Sequence, residues 1–82
     1  ASPDLWTLTA TGKYCTPHMY IGTQDSLIDC QTYCKTIGAR RLTFYPTNEC
    51  RCCTASSELL VSKNNGKIYT LQGKYMYLPT TS

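Results

Sequence analysis

Cysteine is the residue type in this chain whose number and spacing indicate specific chemistry. Six cysteines occur among 82 residues. Cys30 and Cys34 stand one helical turn apart, and a Cys-x-Cys-Cys run follows at residues 50–53 with the alternation of a strand. Thiols placed in this way form disulfides, bind zinc or act as nucleophiles. The even count, and a length at which burial of apolar surface alone stabilises a fold weakly, favour three disulfides.

The two other uses of cysteine fit the sequence less well. The Cys-x-Cys-Cys and Cys-x-x-x-Cys runs with His18 supply enough zinc ligands, but the C-x2-C and H-x3-H spacings of structural zinc sites are absent. His18 follows Pro17 and has no evident carboxylate to orient it as the base of a catalytic thiol. We therefore expect no metal, no cofactor and no catalytic residue, and a protein that is not an enzyme.

The first two cysteines of the pattern lie in a predicted helix. Ser26 is a favourable N-cap, with Asp29 three residues later, and Gly38 is a favourable C-terminal stop. Between these signals the apolar residues recur every three or four positions, which predicts one stripe facing the core. That stripe consists of Leu27, Cys30, Cys34 and Ile37.

Strand patterns surround the predicted helix. A first strand is predicted at 5–11, with Trp6 in the core. Strands at 41–45 and 49–54 are predicted to form a central hairpin, with Pro46 ending the first of them. The Asn-Gly step of Asn64-Asn65-Gly66 predicts a hairpin turn between strands at 59–61 and 68–71. The remaining predicted elements are a strand or extended loop at 18–21 and an edge strand at 75–78. We expect one domain over residues 1–82, with a core at about 5–78 and a tail at 79–82.

The cysteine positions then restrict the pairing. A helix packed across the face that carries Cys50 and Cys52 forms two adjacent bridges, while Cys53 points to the other face and is left for Cys15. An antiparallel crossing gives the preferred nested pairs, Cys30 with Cys52 and Cys34 with Cys50. A parallel crossing gives the alternative, Cys30 with Cys50 and Cys34 with Cys52.

Composition restricts the possible partners. The formal charge of +3 comes from scattered residues, with Arg40-Arg41 as an adjacent pair, so we expect no nucleic acid partner. No stretch approaches the roughly 20 apolar residues of a membrane span, so we expect no membrane insertion. The opening Ala1-Ser2-Pro3 suits an end left by signal peptidase, which with the disulfides predicts a secreted or extracellular protein.

The region from Ser26 to Leu71 resembles the PAN/apple-like modules. The resemblance rests on the S-x-x-x-C-x-x-x-C helix beginning at Ser26, the aromatic pair Phe44-Tyr45, the strand Cys50–Cys53 and the strand 68–71. A cysteine that the family often carries before the aromatic strand is replaced here by Gly38-Ala39-Arg40-Arg41, so this is a divergent, Cys-x-Cys-Cys variant. The resemblance implies a small disulfide-rich α+β fold, in which an antiparallel sheet of about five strands curls around one α-helix.

The resemblance also implies a non-catalytic extracellular module that binds a glycan or an extracellular protein. Tyr75 and Tyr77 with Lys74 are the preferred contact residues, and Arg40 and Arg41, with Lys35 and Arg51, form a candidate basic patch for acidic sugars, sulfate or phosphate. One alternative is a subunit that binds copies of itself in an extracellular filament or coat, through edge strands at 5–11 and 75–78. Another is a small secreted inhibitor or effector.

Overall fold

A computed structural model describes residues 5–72 as one antiparallel five-stranded sheet and one helix. This confirms a small disulfide-rich α+β fold, and the predicted strand at 75–78 lies outside the described residues. Between residues 5 and 72 no helix is long and apolar enough to cross a bilayer. The sheet order is β1-β5-β3-β4-β2. The elements are β1 Leu5–Thr11, β2 Lys13–Thr23, α1 Leu27–Thr36, β3 Arg41–Phe44, β4 Glu49–Val61 and β5 Lys67–Gln72.

Both ends of α1 form as the sequence predicts. The Ser26 hydroxyl accepts a hydrogen bond from the Asp29 amide at 3.3 Å. At the other end Gly38 has φ +89°, its amide donates to the Lys35 carbonyl, and the next amide donates to the Cys34 carbonyl, which is the Schellman arrangement. The predicted stripe ends early, because Ile37 is the C-cap rather than a helical residue and is 43% exposed.

The long strand β4 corrects the predicted strand map. The separate strands expected at 49–54 and 59–61 are one strand, because β2 pairs along it from Thr23 opposite Glu49 to Lys13 opposite Val61. β2 also continues through Pro17, where the register shifts between the flanking residues. Proline is tolerated there because β2 is an edge strand.

The hairpin predicted at the Asn-Gly step is wrong. β4 pairs with β2 and β3, whereas β5 pairs with β1 and β3, so the strands on either side of the turn are not neighbours. The loop instead packs on the corner between β1 and β2, where the Gly66 carbonyl accepts from the amides of Gly12 at 2.7 Å and Lys13 at 3.1 Å. Gly12 alone separates strands at opposite edges of the sheet, so the two edges meet at this corner.

The core lies on both faces of β3. On one face, α1 covers Leu42 together with the cysteines of the helix and of β4. On the other, the hydroxyl of fully buried Thr43 accepts from the Cys15 amide at 3.1 Å and contacts the Cys15 sulfur at 3.2 Å. Trp6 is partly buried and packs against the helix-side cluster, as expected. β3 is therefore enclosed by the helix and by β2.

The disulfides confirm one predicted pair and correct the other two. Cys15 is bonded to Cys53, as expected, with their Cα atoms 5.8 Å apart. The preferred helix pairing, Cys30 with Cys52 and Cys34 with Cys50, is wrong. The structure contains the parallel alternative, because the helix crosses β4 in the same sense as the strand runs: Cys30–Cys50 and Cys34–Cys52. All six cysteines lie within the described residues, and each is bonded in one of these three disulfides.

Candidate recognition site

The predicted contact residues are only partly described. Lys74, Tyr75 and Tyr77 lie outside residues 5–72. Arg40 and Arg41 line one open groove of about 520 Å³. Their guanidinium groups contact the backbone of neighbouring segments: Arg40 donates to the Leu71 carbonyl at 3.1 Å and Arg41 to the Ser57 carbonyl at 2.9 Å. The two arginines therefore brace this end of the sheet, and their role in binding stays a prediction.

The structure divides the expected basic patch. In β4, Arg51 alternates with Cys50 and Cys52, whose side chains meet α1, so Arg51 projects from the opposite face of the sheet. Lys35 belongs to α1 and lies on the helix side. Arg51 lines a groove different from that of Arg40 and Arg41. The pair at 40–41 and Arg51 thus belong to separate surfaces.

Arg51 lies between two tyrosine rings. Its guanidinium carbon is 4.8 Å from the centre of the Tyr45 ring and 5.6 Å from that of Tyr20. The strand order produces this arrangement, because β4 lies between β2, which carries Tyr20 opposite Arg51, and β3, which leads into Tyr45. Cation–π attraction at these distances holds the guanidinium in place.

Tyr45 forms the buried wall of this arrangement. Its ring is 4% exposed, and its backbone pairs with Glu49 and Asn48 in the turn that leads into β4. Asn48 adopts φ +70°, which asparagine tolerates better than most residues. Burial raises the pKa of the Tyr45 hydroxyl, although the positive charge of Arg51 acts in the opposite direction. The phenol is therefore a neutral wall of the site over a wide pH range.

A groove of about 310 Å³ opens beside this pair; we call it the tyrosine–arginine groove. It adjoins a second hollow of about 390 Å³, which shares Tyr45, Lys63 and Asn64 and adds Glu49 and Asn65. Its lining includes Tyr14, Tyr45, Arg51, Ser62, Lys63 and Asn64. The groove combines aromatic rings with amide, hydroxyl and charged groups.

The loop that forms one wall of the groove is held by its own hydrogen bonds. The Ser62 hydroxyl accepts from the amides of Asn64 and Gly66, each at 3.1 Å. The Ser62 amide donates to the Gly12 carbonyl at 2.9 Å. These bonds place Lys63 and Asn64 beside the end of β4, so the position of this wall is set by hydrogen bonds within the protein.

Sequence reasoning missed this groove. It included Arg51 in a patch with residues that lie elsewhere, and it did not single out Tyr14 or Lys63. One signal was available in the sequence: Arg51 lies between two cysteines of one strand, so its side chain points to the face of the sheet opposite to theirs. Its partners on β2 depend on a register that shifts twice, between Thr16 and His18 and between Tyr20 and Gly22, and no local pattern predicts such shifts.

No family model, curated protein or solved structure matches this chain.

Proposed function

We propose that this chain is a secreted or extracellular recognition module of PAN/apple type, which binds a glycan without chemically changing it. Three disulfides within residues 15–53 support an oxidising compartment, since such bridges persist outside the reducing cytosol. The family resemblance supports both the recognition role and a sheet that curls around the helix. It rests on the helix from Ser26 and on the strand at residues 50–53.

The observation that carries the proposal is the chemistry of the tyrosine–arginine groove. Sugars present apolar C–H faces, which pack on aromatic rings, and hydroxyl groups, which need donors and acceptors. Tyr14 is partly exposed in the groove, and Tyr20 beside it is 58% exposed. Asn64 and Ser62 supply an amide and a hydroxyl, and Arg51 supplies N–H donors. This mixture of apolar rings with a few polar groups is typical of a binding cleft.

A binding measurement with two tyrosine variants tests the proposal. The unmodified chain is applied to a glycan array, and Tyr14→Ala, in the groove, is compared with Tyr33→Ala. Tyr33 is a matched control, since it is 47% exposed on α1 and lines none of the grooves described above. We expect saturable binding that Tyr14→Ala weakens at least tenfold and Tyr33→Ala leaves unchanged. Absence of saturable binding, or equal effects of the two variants, would refute the proposal.

A second function, self-assembly, is supported by strand β1. This strand lies at one edge of the sheet and exposes Leu5 by 54% and Leu8 by 45%. An edge strand with apolar side chains is a template for pairing with another copy. Small-angle scattering over a concentration series tests this alternative: growth in particle mass that Leu8→Lys abolishes supports it, and a constant mass contradicts it.

A further inference from the structure

The strongest unused binding capacity in the described chain belongs to Arg51. A guanidinium group has five N–H donors. Among the described residues it forms an ion pair with Glu49, with Nη2 and Oε1 3.5 Å apart, whereas charge-assisted hydrogen bonds are about 2.7–2.9 Å long. The Nε atom is buried and has no hydrogen-bond partner within residues 5–72. A buried donor without a partner is unusual in a folded protein, and the exposed part of the Arg51 side chain lies on atoms other than Nε.

Arg51 is also held for binding before a ligand arrives. Tyr45 and Tyr20 flank the guanidinium, and its two neighbours in the chain, Cys50 and Cys52, are each bonded to α1. About a quarter of the side chain, 26%, remains accessible. A side chain held in this way loses less conformational freedom on binding than a free surface arginine. The planar group can therefore present two N–H bonds to one oxyanion.

The charges around the groove favour an anion. Lys63 lines both hollows, is exposed, and forms no ion pair with another described residue. Arg51 and Lys63 supply two positive charges, and Glu49 is the one acidic side chain among the described residues that line these hollows. The two positive charges therefore exceed the one negative charge of Glu49 at this surface. An anionic group between Arg51 and Lys63 would be attracted by both positive charges.

We propose that the tyrosine–arginine groove selects acidic glycans, meaning sugars that carry a carboxylate or a sulfate ester. Arg51 binds the oxyanion through its N–H donors, Lys63 adds a second positive charge, and the ring of Tyr14 packs on the sugar face. This inference rests on the proposed glycan-binding function and adds the ligand class. It also moves the predicted anion site from Arg40 and Arg41 to the other groove.

The test uses ligands that differ only in the acidic group. A β-linked glucose oligosaccharide is compared by calorimetry with its 6-oxidised uronate form and its 6-sulfate ester, and the same triplet is made on a galactose backbone. We expect an acidic form to bind at least tenfold more tightly than its neutral parent at low salt, with the difference reduced at high ionic strength. Preference for the uronate or for the sulfate identifies the source of the oxyanion, and either preference supports the inference.

Two groove variants and one control assign the effect to residues. Arg51→Lys keeps the charge but removes the two-pronged donor, and Lys63→Gln removes the charge of an exposed side chain. We expect each variant to lose about tenfold in affinity for the acidic ligand and little for the neutral one. Arg41→Lys, outside the groove, is expected to keep the preference.

The outcomes separate the two proposals. Equal binding of neutral and acidic forms, or a preference that survives both Arg51→Lys and Lys63→Gln, overturns the acidic selectivity and leaves glycan binding in place. Failure of every member of both triplets to bind, together with no saturable binding on the glycan array, overturns both. Loss of the acidic preference in Arg41→Lys alone would return the anion site to the first groove and also overturn the inference.

Discussion

Replacing Gly66 with alanine tests the corner where the two edges of the sheet meet. A Cβ atom at this position would lie 2.5 Å from the Lys13 carbonyl oxygen, 3.1 Å from the Thr43 methyl group and 3.2 Å from the Ser62 hydroxyl. The first contact is with backbone, so no side-chain rotation relieves it. The requirement for glycine here comes from this close approach.

The expected cost follows from the contacts that must change. Inserting one methyl group into a well-packed site costs typically 1–3 kcal/mol. Moving the loop away weakens the hydrogen bonds from the Gly12 and Lys13 amides to the Gly66 carbonyl, each of which contributes about 0.5–1.5 kcal/mol. We expect Gly66→Ala to lower the free energy of unfolding by about 3 kcal/mol. For a domain of this size, each kcal/mol corresponds to roughly 4–8 °C in melting temperature.

Gly38→Ala is the matched control. Gly38 has φ +89° and nothing within 4 Å of the position of an added Cβ, so its substitution costs backbone strain alone, about 1 kcal/mol. Both variants are unfolded in urea with the disulfides intact. If Gly66→Ala proves as stable as the unmodified protein, or costs less than Gly38→Ala, the close packing of the loop on Lys13 is refuted.

Three further results are expected. Thr43→Val should lower the free energy of unfolding by about 1–3 kcal/mol in urea titrations, because it leaves the buried Cys15 amide without an acceptor. Thr43→Ser, which keeps the hydroxyl, should cost less, and equal costs of the two variants would contradict this explanation. Burial raises the pKa of Tyr45, so the folded state keeps this proton to a higher pH than the unfolded state, and the free energy of unfolding should fall as pH rises above about 10. Tyr45→Phe should reduce this fall when unfolding is measured against pH, and an unchanged profile would contradict the explanation. Non-reducing digestion with trypsin, which cleaves after Arg51, and with chymotrypsin, which cleaves after Tyr33, separates Cys30 from Cys34 and should leave the Cys30 peptide linked to the Cys50 peptide; a Cys34 peptide linked to the Cys50 peptide would reject this pairing.

Elements determined by neighbouring residues were predictable from the sequence. Ser26 and Gly38 mark the ends of the helix because capping groups act within one turn. The pair formed by Cys15 and Cys53 was predictable because strand alternation turns Cys53 away from the helix. The capping residues lie within one turn of the helix ends that they specify. For Cys53, the alternation of side chains along a strand is enough to assign its face.

Features that depend on distant partners were not predictable. The Asn64-Asn65-Gly66 run carries a hairpin signal, yet β3 pairs with both β4 and β5, and the loop packs on Lys13 instead. The order of the helix disulfides depends on the crossing direction of α1, which spacing alone leaves open. The candidate site depends on the register that brings Tyr20 opposite Arg51, and two irregularities in that register are set by tertiary packing.

In the proposed binding role, the Cys50-Arg51-Cys52 segment separates the tasks of scaffold and ligand contact. Both flanking cysteines are fastened to α1 on one side of the sheet, while residue 51 projects from the other. The covalent ties fix the backbone at residue 51 whatever side chain it carries. Designed libraries can therefore exchange this residue to alter the proposed selectivity while the framework is kept. Position 51 is thus the natural starting point for testing and altering the proposed ligand selectivity.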